Sequence, residues 1–344
     1  MRYDIDIVNP VEYQGWDDLL ASSRQYSFFH TSEWAKVLWE TYHYRPVYFT
    51  IIDNNRLLAL FPVMEVKSIF TGLRGVSLPF TDYCQTIITD EIEREDMLDF
   101  VKEYGRRCKW KFIETRDGHY PDATATASFY RHSLKLTPDT GQIFSGFKDS
   151  TKRNIRKAMR MGVEVEICRT SEAVDEYCRL HYITRKKHGL PPQPRSFFEK
   201  IYEHIISKNL GFIALACHHK KNIAGALFLN FKEKSLFKFG ASDHTYQHLR
   251  ANDLVMWEAI KWCAQNKYQS LCFGRTAMNN TGLRRFKAGW GADEQIINYY
   301  RYDLRQNAFV TEISVLKNFH HRIFRIMPIS LLKILGSLLY RHIG

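Results

Sequence analysis

The feature that most limits the fold is an order of elements that occurs twice. In the first half, Val47–Ile52 and Leu57–Val66 read as strands joined at Asp53-Asn54-Asn55, a hairpin signal. The loop-like Gly72–Asp82, an amphipathic helix over Glu91–Cys108 and a strand at Trp110–Glu114 follow. In the second half, Phe212–Cys217 turns at Lys220-Lys221-Asn222 into Ile223–Phe231, then come Leu236–Phe239, a helix over Asn252–Gln265 and a strand at Ser270–Phe273. Two blocks of hairpin, strand, helix and strand imply an α/β chain with mixed sheets, in the α+β manner, and hint at internal duplication. A chain of 344 residues is long enough for two medium domains, each burying its own core. The stretch Pro138–Gly146 is the natural linker, giving domains over 1–140 and 141–305 and a helical tail over 306–344.

Smaller signals fill in the rest. Thr31 and Ser32 stand where they can cap a helix over Glu33–Thr41. Phe129–Leu136 and Val163–Cys168 read as strands, and helices are expected over Ser171–Lys187 and Ser196–Lys208, separated by Gly189-Leu190-Pro191-Pro192. Between the two strands lies the basic run KDSTKRNIRKAMR, in which Lys152, Arg156 and Arg160 share one helical stripe beside Arg153 and Lys157.

Charge narrows the partners. A formal net charge of +12 favours anionic ones, whether nucleic acid, phosphate-bearing small molecules or an anionic membrane surface. The seven cysteines are scattered singly, with no CxxC pair, which suits reduced, buried thiols better than a disulfide framework. Asp4 and Asp6 occupy the place of a signal peptide's apolar core, so a cytoplasmic protein is expected, peripheral at the inner membrane if the tail binds there. Beyond Glu312 the tail has no acidic residue but carries Lys317, Arg322, Arg325, Lys333 and Arg341. Its leucines Leu331, Leu332, Leu335, Leu338 and Leu339 recur at helical spacing after Pro328. Such a basic amphipathic helix can lie on an anionic membrane or dock back on the protein.

The run Leu271–Gly291, LCFGRTAMNNTGLRRFKAGWG, holds the densest chemistry. A strand ending at Phe273, with Gly274 allowing a sharp turn, would put Arg275 just beyond the strand's carboxyl end, where α/β proteins place ligands. Arg284, Arg285 and Lys287 follow beside Phe286 and Trp290. Such cations can grip a diphosphate or steady an oxyanion, and spacing alone does not separate this from a solvated basic loop over an aromatic anchor. His181 and His188 fall seven apart on one helix, and His188 is a candidate general base, with Asp82 competing for that role. Cys272 reads as buried filler, since no histidine adjoins it. His218-His219 stands before two lysines with no carboxylate or third histidine at ligand spacing, so no metal is expected.

The ordered motifs Gly225-Ala226-Leu227, Phe239-Gly240-Ala241-Ser242, Asn252–Ile260, Phe273-Gly274-Arg275 and Phe286-Lys287-Ala288-Gly289-Trp290-Gly291 resemble the FemAB-like branch of the GNAT superfamily. So do Phe29–Trp34, Ser77–Tyr83, Arg153–Ala158 and Thr184–Pro191, so that the match spans about residues 25–303. The resemblance implies tandem GNAT-like domains and an N-acyltransferase that moves an acyl group from acyl-CoA, by default acetyl-CoA, to a primary amine of an envelope sugar or peptide precursor. Carried over by motif, Lys287 and Arg275 would act near the acyl donor. Lys152, Arg153 and Arg156 would bind phosphate on the acceptor side, with Trp34, Asp82 and Tyr83 at the acceptor. The matching donor segment is Tyr246–Asn252, with Gln247, Arg250 and Asn252, joined by Arg284 and Arg285. It lacks the glycines usual in such a loop, which leaves aminoacyl-tRNA as an alternative donor. The helical insertion of tRNA-dependent Fem enzymes is not visible. A non-catalytic module that binds anionic polymer or lipid is the rival from another class.

Overall fold

The structure, a computed structural model, describes residues 3–116, 118, 120–311 and 319–343. Glu312 and Lys317 lie outside the described residues, as does the side chain of Arg322. In chain order the first elements are β1 (Asp6–Val8), α1 (Trp16–Ala21), α2 (Ser32–Tyr42), β2 (Arg45–Asp53), β3 (Arg56–Ser68), β4 (Gly72–Val76), β5 (Ile87–Ile88), α3 (Arg94–Arg107) and β6 (Phe112–Arg116). Next come β7 (Ala127–Lys135), α4 (Thr140–Ser145), α5 (Asp149–Arg160), β8 (Glu164–Cys168), α6 (Ser171–Lys187) and α7 (Arg195–Ile201). The chain continues through β9 (Gly211–His218), β10 (Lys221–Phe231), β11 (Lys234–Ser242), α8 (Ala251–Gln265), β12 (Ser270–Ala277) and α9 (Thr281–Ala288). It closes with β13 (Asp293–Asp303), β14 (Ala308–Val310), α10 (Phe319–Ile326) and α11 (Ile329–Ile343).

These elements form two compact units. One takes in Met1–Phe129, Ile296–Val315 and Leu339–Gly344; the other takes in Tyr130–Gln295 and Leu316–Leu338. A cut at 140 and 305 therefore differs from the observed division, because the chain after Ile296 returns to the first unit. The reason is pairing: Tyr299–Asp303 of β13 run antiparallel to β6 and close that unit's sheet. The local pattern of either strand does not announce such a return.

In the first unit β1, β2, β3 and β4 pair antiparallel, and β4 pairs parallel with β6 across the helical connection of α3. The β2–β3 hairpin turns at Asn54 and Asn55, both with positive φ, the conformation that asparagine tolerates better than other residues. Thr31 caps α2 by accepting from the Trp34 amide, as its place in the sequence predicts. Phe49, Phe61, Val101, Trp110 and Tyr300 lie in this unit's core. On β6 the half-buried Glu114 pairs with Arg116 at 2.9 Å and Arg301 at 3.0 Å, and Arg116 donates to the carbonyls of Leu78 and Thr81. Burial opposes ionisation of Glu114, but the two guanidiniums win and hold its pKa below the usual carboxylate value.

The second unit repeats the plan. β8, β9, β10 and β11 pair antiparallel, and β11 pairs parallel with β12 across α8. The repeated block expected from the sequence is thus present as a repeated topology. Phe212, Phe228, Trp257, Ile260 and Trp290 lie in this core. Trp290 packs edge-on against Phe147 and Phe286, so it anchors the segment after α9. The expected helix over Ser196–Lys208 is shorter than its pattern: α7 gives way to a π-helical turn at Tyr202–Ile206. All seven cysteines are free thiols.

Candidate functional site

The site arises where two strands stop pairing. β11 and β12 are in register only at Lys234–Leu236 with Ser270–Cys272, although β11 runs on to Ser242 and β12 to Ala277. Gly274, with φ 66°, bends β12 within the strand. Past Leu236 the two strands leave a gap between their edges. Phe237, Gly240, Ala241 and Ser242 from β11 line a cavity of about 590 Å³, in the size range of small-molecule sites. Ile223–Ala226 of β10, Ser150, Thr151 and Asn154 of α5, and Leu283, Arg285 and Phe286 of α9 complete its wall.

The start of α8 closes one end of this cavity, with Arg250, Ala251, Asn252 and Asp253 all in its lining. No side chain caps that helix. Its first amides and the positive end of its dipole are therefore available to an anion. Arg250 sits at the N-cap with φ 60°, a left-handed conformation normally given to glycine. The absence of glycine from Tyr246–Asn252 thus did not prevent the turn. An arginine adopts the strained backbone and brings a guanidinium to the helix start.

Two titratable groups face the same space. Asp253 accepts from the Asn154 amide at 3.3 Å; burial raises its pKa, while Asn154 and Arg250 pull the other way. His188 is held below its usual pKa by partial desolvation and by the cations Lys187, Arg185 and Arg325. It is therefore neutral at pH 7 and can accept a proton. His181, its neighbour in the helix pattern, is pushed down to about 3 by burial and then by Arg185, and packs against Phe198. It belongs to the core.

The structure gathers His188, Gln247, Arg250, Asn252 and Arg285 around one cavity. The other expected residues lie elsewhere. Arg275 does not stand beyond a strand end, because β12 continues through it to Ala277. Arg284, Arg285 and Lys287 lie on a helix, α9, rather than on a loop, since Asn280 caps it and the helical pattern overrides the glycine at 282. Arg284 forms a two-pronged pair with Glu294 at 2.8 and 2.6 Å and stacks over Tyr130 at 3.8 Å. Glu294 in turn lies 2.9 Å from the buried His132. Lys287 is only 2% exposed, and its ammonium donates to the carbonyls of Gly274 and Arg275 at 3.0 and 2.9 Å. Its visible work is to hold the bend in β12.

On α5, Arg153 and Arg156 are exposed, while Lys152 donates to the Ser145 carbonyl; none of the three lines the cavity. In the first unit Trp34 is fully enclosed against Phe28 and Phe29, so direct contact with an acceptor is ruled out and it supports its neighbours instead. Asp82 and Tyr83 are half-buried; the Asp82 carbonyl accepts from Tyr299, and Tyr83 packs edge-on against Phe29. The preceding loop holds Leu78 and Phe80 at positive φ, a strain that Arg116 helps to fix. Sequence reasoning missed Asp253 and Asn154. Their signal was present, a polar residue in the first turn of α8 and another on the basic helix, but only the fold brings them together.

A parallel strand pair that parts beside a helix start, within a topology that occurs in both halves of the chain, is a GNAT-like fold. Residues 145–288 match the family described as an acetyltransferase (GNAT) domain, and the cavity lies wholly within that segment. No match is found among curated proteins. Among solved structures the chain is similar to FemX, at 14% identity and a TM-score of 0.69, covering 88% of this chain and 98% of that one. It is also similar to a tandem GNAT protein from the clavulanic acid biosynthesis pathway, at 8% identity and a TM-score of 0.55, covering 88% and 99%. L-PGS from Bacillus licheniformis matches at 11% identity and a TM-score of 0.55, covering 98% and 99%. The chain shares the fold of FemX and of the tandem GNAT protein.

Proposed function

We propose that the protein transfers an acyl group from acyl-CoA, with acetyl-CoA as the default, to a primary amine on a cell-envelope sugar or peptide precursor. The observation that carries this reading is the cavity walled by β10 and β11, with Arg250, Arg285 and the uncapped start of α8 around it. A diphosphate seated there meets helix amides and guanidiniums, both suited to anions. An extended arm carrying amides can pair with the β11 edge that β12 no longer covers, past Leu236. The likeness to FemX and L-PGS supports an envelope-related acceptor.

The chemistry needs no covalent intermediate. The amine nitrogen attacks the thioester carbonyl, the C–N bond forms, the C–S bond breaks, and the thiolate leaves with the sulfur electron pair. His188, neutral at pH 7, takes the proton that the attacking amine must lose. Holding both reactants together supplies much of the rate gain.

The test is transfer by the purified full chain from labelled acetyl-CoA to a pool of amino-sugar and peptide precursors, with charged tRNA as the comparison donor. Acetylated product whose formation falls in Arg285→Ala through a raised donor KM supports the reading. Transfer from charged tRNA alone, or calorimetry showing no binding of any acyl-CoA, would sink it.

A further inference from the structure

The C-terminal helix is apolar on two faces, and the fold uses one. Leu332 is buried, and Gly336 lies so close to the Pro192 carbonyl that an added Cβ would stand 2.1 Å from it. Lys333 reaches back over the Tyr182 ring at 4.3 Å. α11 is therefore docked on α6 and on the loop after it. The opposite face carries Leu331, Ile334 and Leu338, spaced i, i+3 and i+7, and these are 49, 57 and 58% exposed. On α10, Ile326 is 82% exposed. A helix already anchored by one stripe has no structural need for a second apolar stripe in water.

The charged residues of α10 and α11 themselves are all basic. α10 packs against α6, whose last turn carries Arg185, Lys186 and Lys187. Arg325 lies near enough to that turn to act on His188. From 319 to 343 the sequence has no acidic residue. Among the described residues no helix is long and apolar enough to cross a membrane.

We propose that α11 lays Leu331, Ile334 and Leu338 on an anionic lipid bilayer, with Arg325 and the basic end of α6 at the headgroups. Apolar insertion and headgroup attraction are the two signals that together give firm peripheral binding. The inference is independent of the acyl donor and holds whatever the second unit transfers.

The full chain is tested by sedimentation with vesicles of phosphatidylglycerol and phosphatidylcholine, and with phosphatidylcholine alone. Binding to the anionic vesicles should fall about tenfold or more in L331S/I334S/L338S and weaken with added salt. The three sites are exposed, so the variant should melt like the parent and acylate a soluble amine equally well. Equal binding by the variant, equal binding to neutral vesicles, or no binding by the parent overturns the proposal. So does a parent dimer that the triple variant converts to monomer, since the ridge would then be a contact between two copies.

Discussion

Replacing Arg250 with glycine should stabilise the protein and weaken donor binding in the same molecule. At φ 60° an L-residue carries a strain of about 1–2 kcal/mol that glycine does not. Glycine's greater freedom in the unfolded chain returns part of that, leaving a net gain of about 1 kcal/mol. For a unit of this size the gain corresponds to roughly 2–4 °C in Tm. Against this, the variant loses the guanidinium at the start of α8. A hydrogen bond to a charged group is worth about 1.5–3 kcal/mol, so donor affinity should fall roughly ten- to hundredfold. Arg250→Ala separates the two effects, because it keeps the strain and loses the charge. Calorimetric titration with acetyl-CoA reads affinity, and a thermal melt reads stability. Unchanged donor affinity in R250G would remove Arg250 from the site; equal melting of R250G and R250A would refute the strain argument.

Three further outcomes follow from the geometry. Lys287→Met should leave the carbonyls of Gly274 and Arg275 short of a donor and cost about 2–3 kcal/mol in a denaturant titration, which the unchanged midpoint of a merely peripheral lysine would contradict. Glu114 has a depressed folded pKa, so its contribution is present above the unfolded carboxylate value of about 4.3 and is lost as pH falls through the folded value; Glu114→Gln should cost about 3–5 kcal/mol at pH 7 and flatten the acid limb of the stability profile. Gly336→Ala should push α11 off the Pro192 carbonyl, read as faster amide exchange across Ile329–Ile343, and exchange equal to the parent's would show that the close approach is not needed.

Much of this was legible in the chain where the signal is local. The Asn54-Asn55 turn, the Thr31 cap and the full length of α6 follow from side chains acting on their own backbone. That Gln247, Arg250, Asn252 and Arg285 stand around one space was legible because motif order carried them. What stayed hidden depends on pairing between distant segments. Gly274 reads as a strand end, but β12 bends there and continues. Lys287 reads by resemblance as an electrostatic residue near the acyl donor, yet the helix turns it inward onto that bend. Trp34 reads as a ligand-facing aromatic and is sealed in the core. Whether an aromatic or a lysine points in or out is set by helix phase against a sheet whose register no short segment encodes.

The early end of pairing between β11 and β12 has a thermodynamic consequence. Under the proposed reading, backbone groups past Leu236 that β12 does not cover would be satisfied by water in the free protein and by a bound donor in the complex. The donor would then stand in for a missing strand, and folding and binding would become linked equilibria. A ligand at a hundred times its Kd adds about 2.7 kcal/mol to stability, so this unit should resist heat and proteases best when its donor is abundant. Its lifetime in a cell would then report the supply of activated acyl groups.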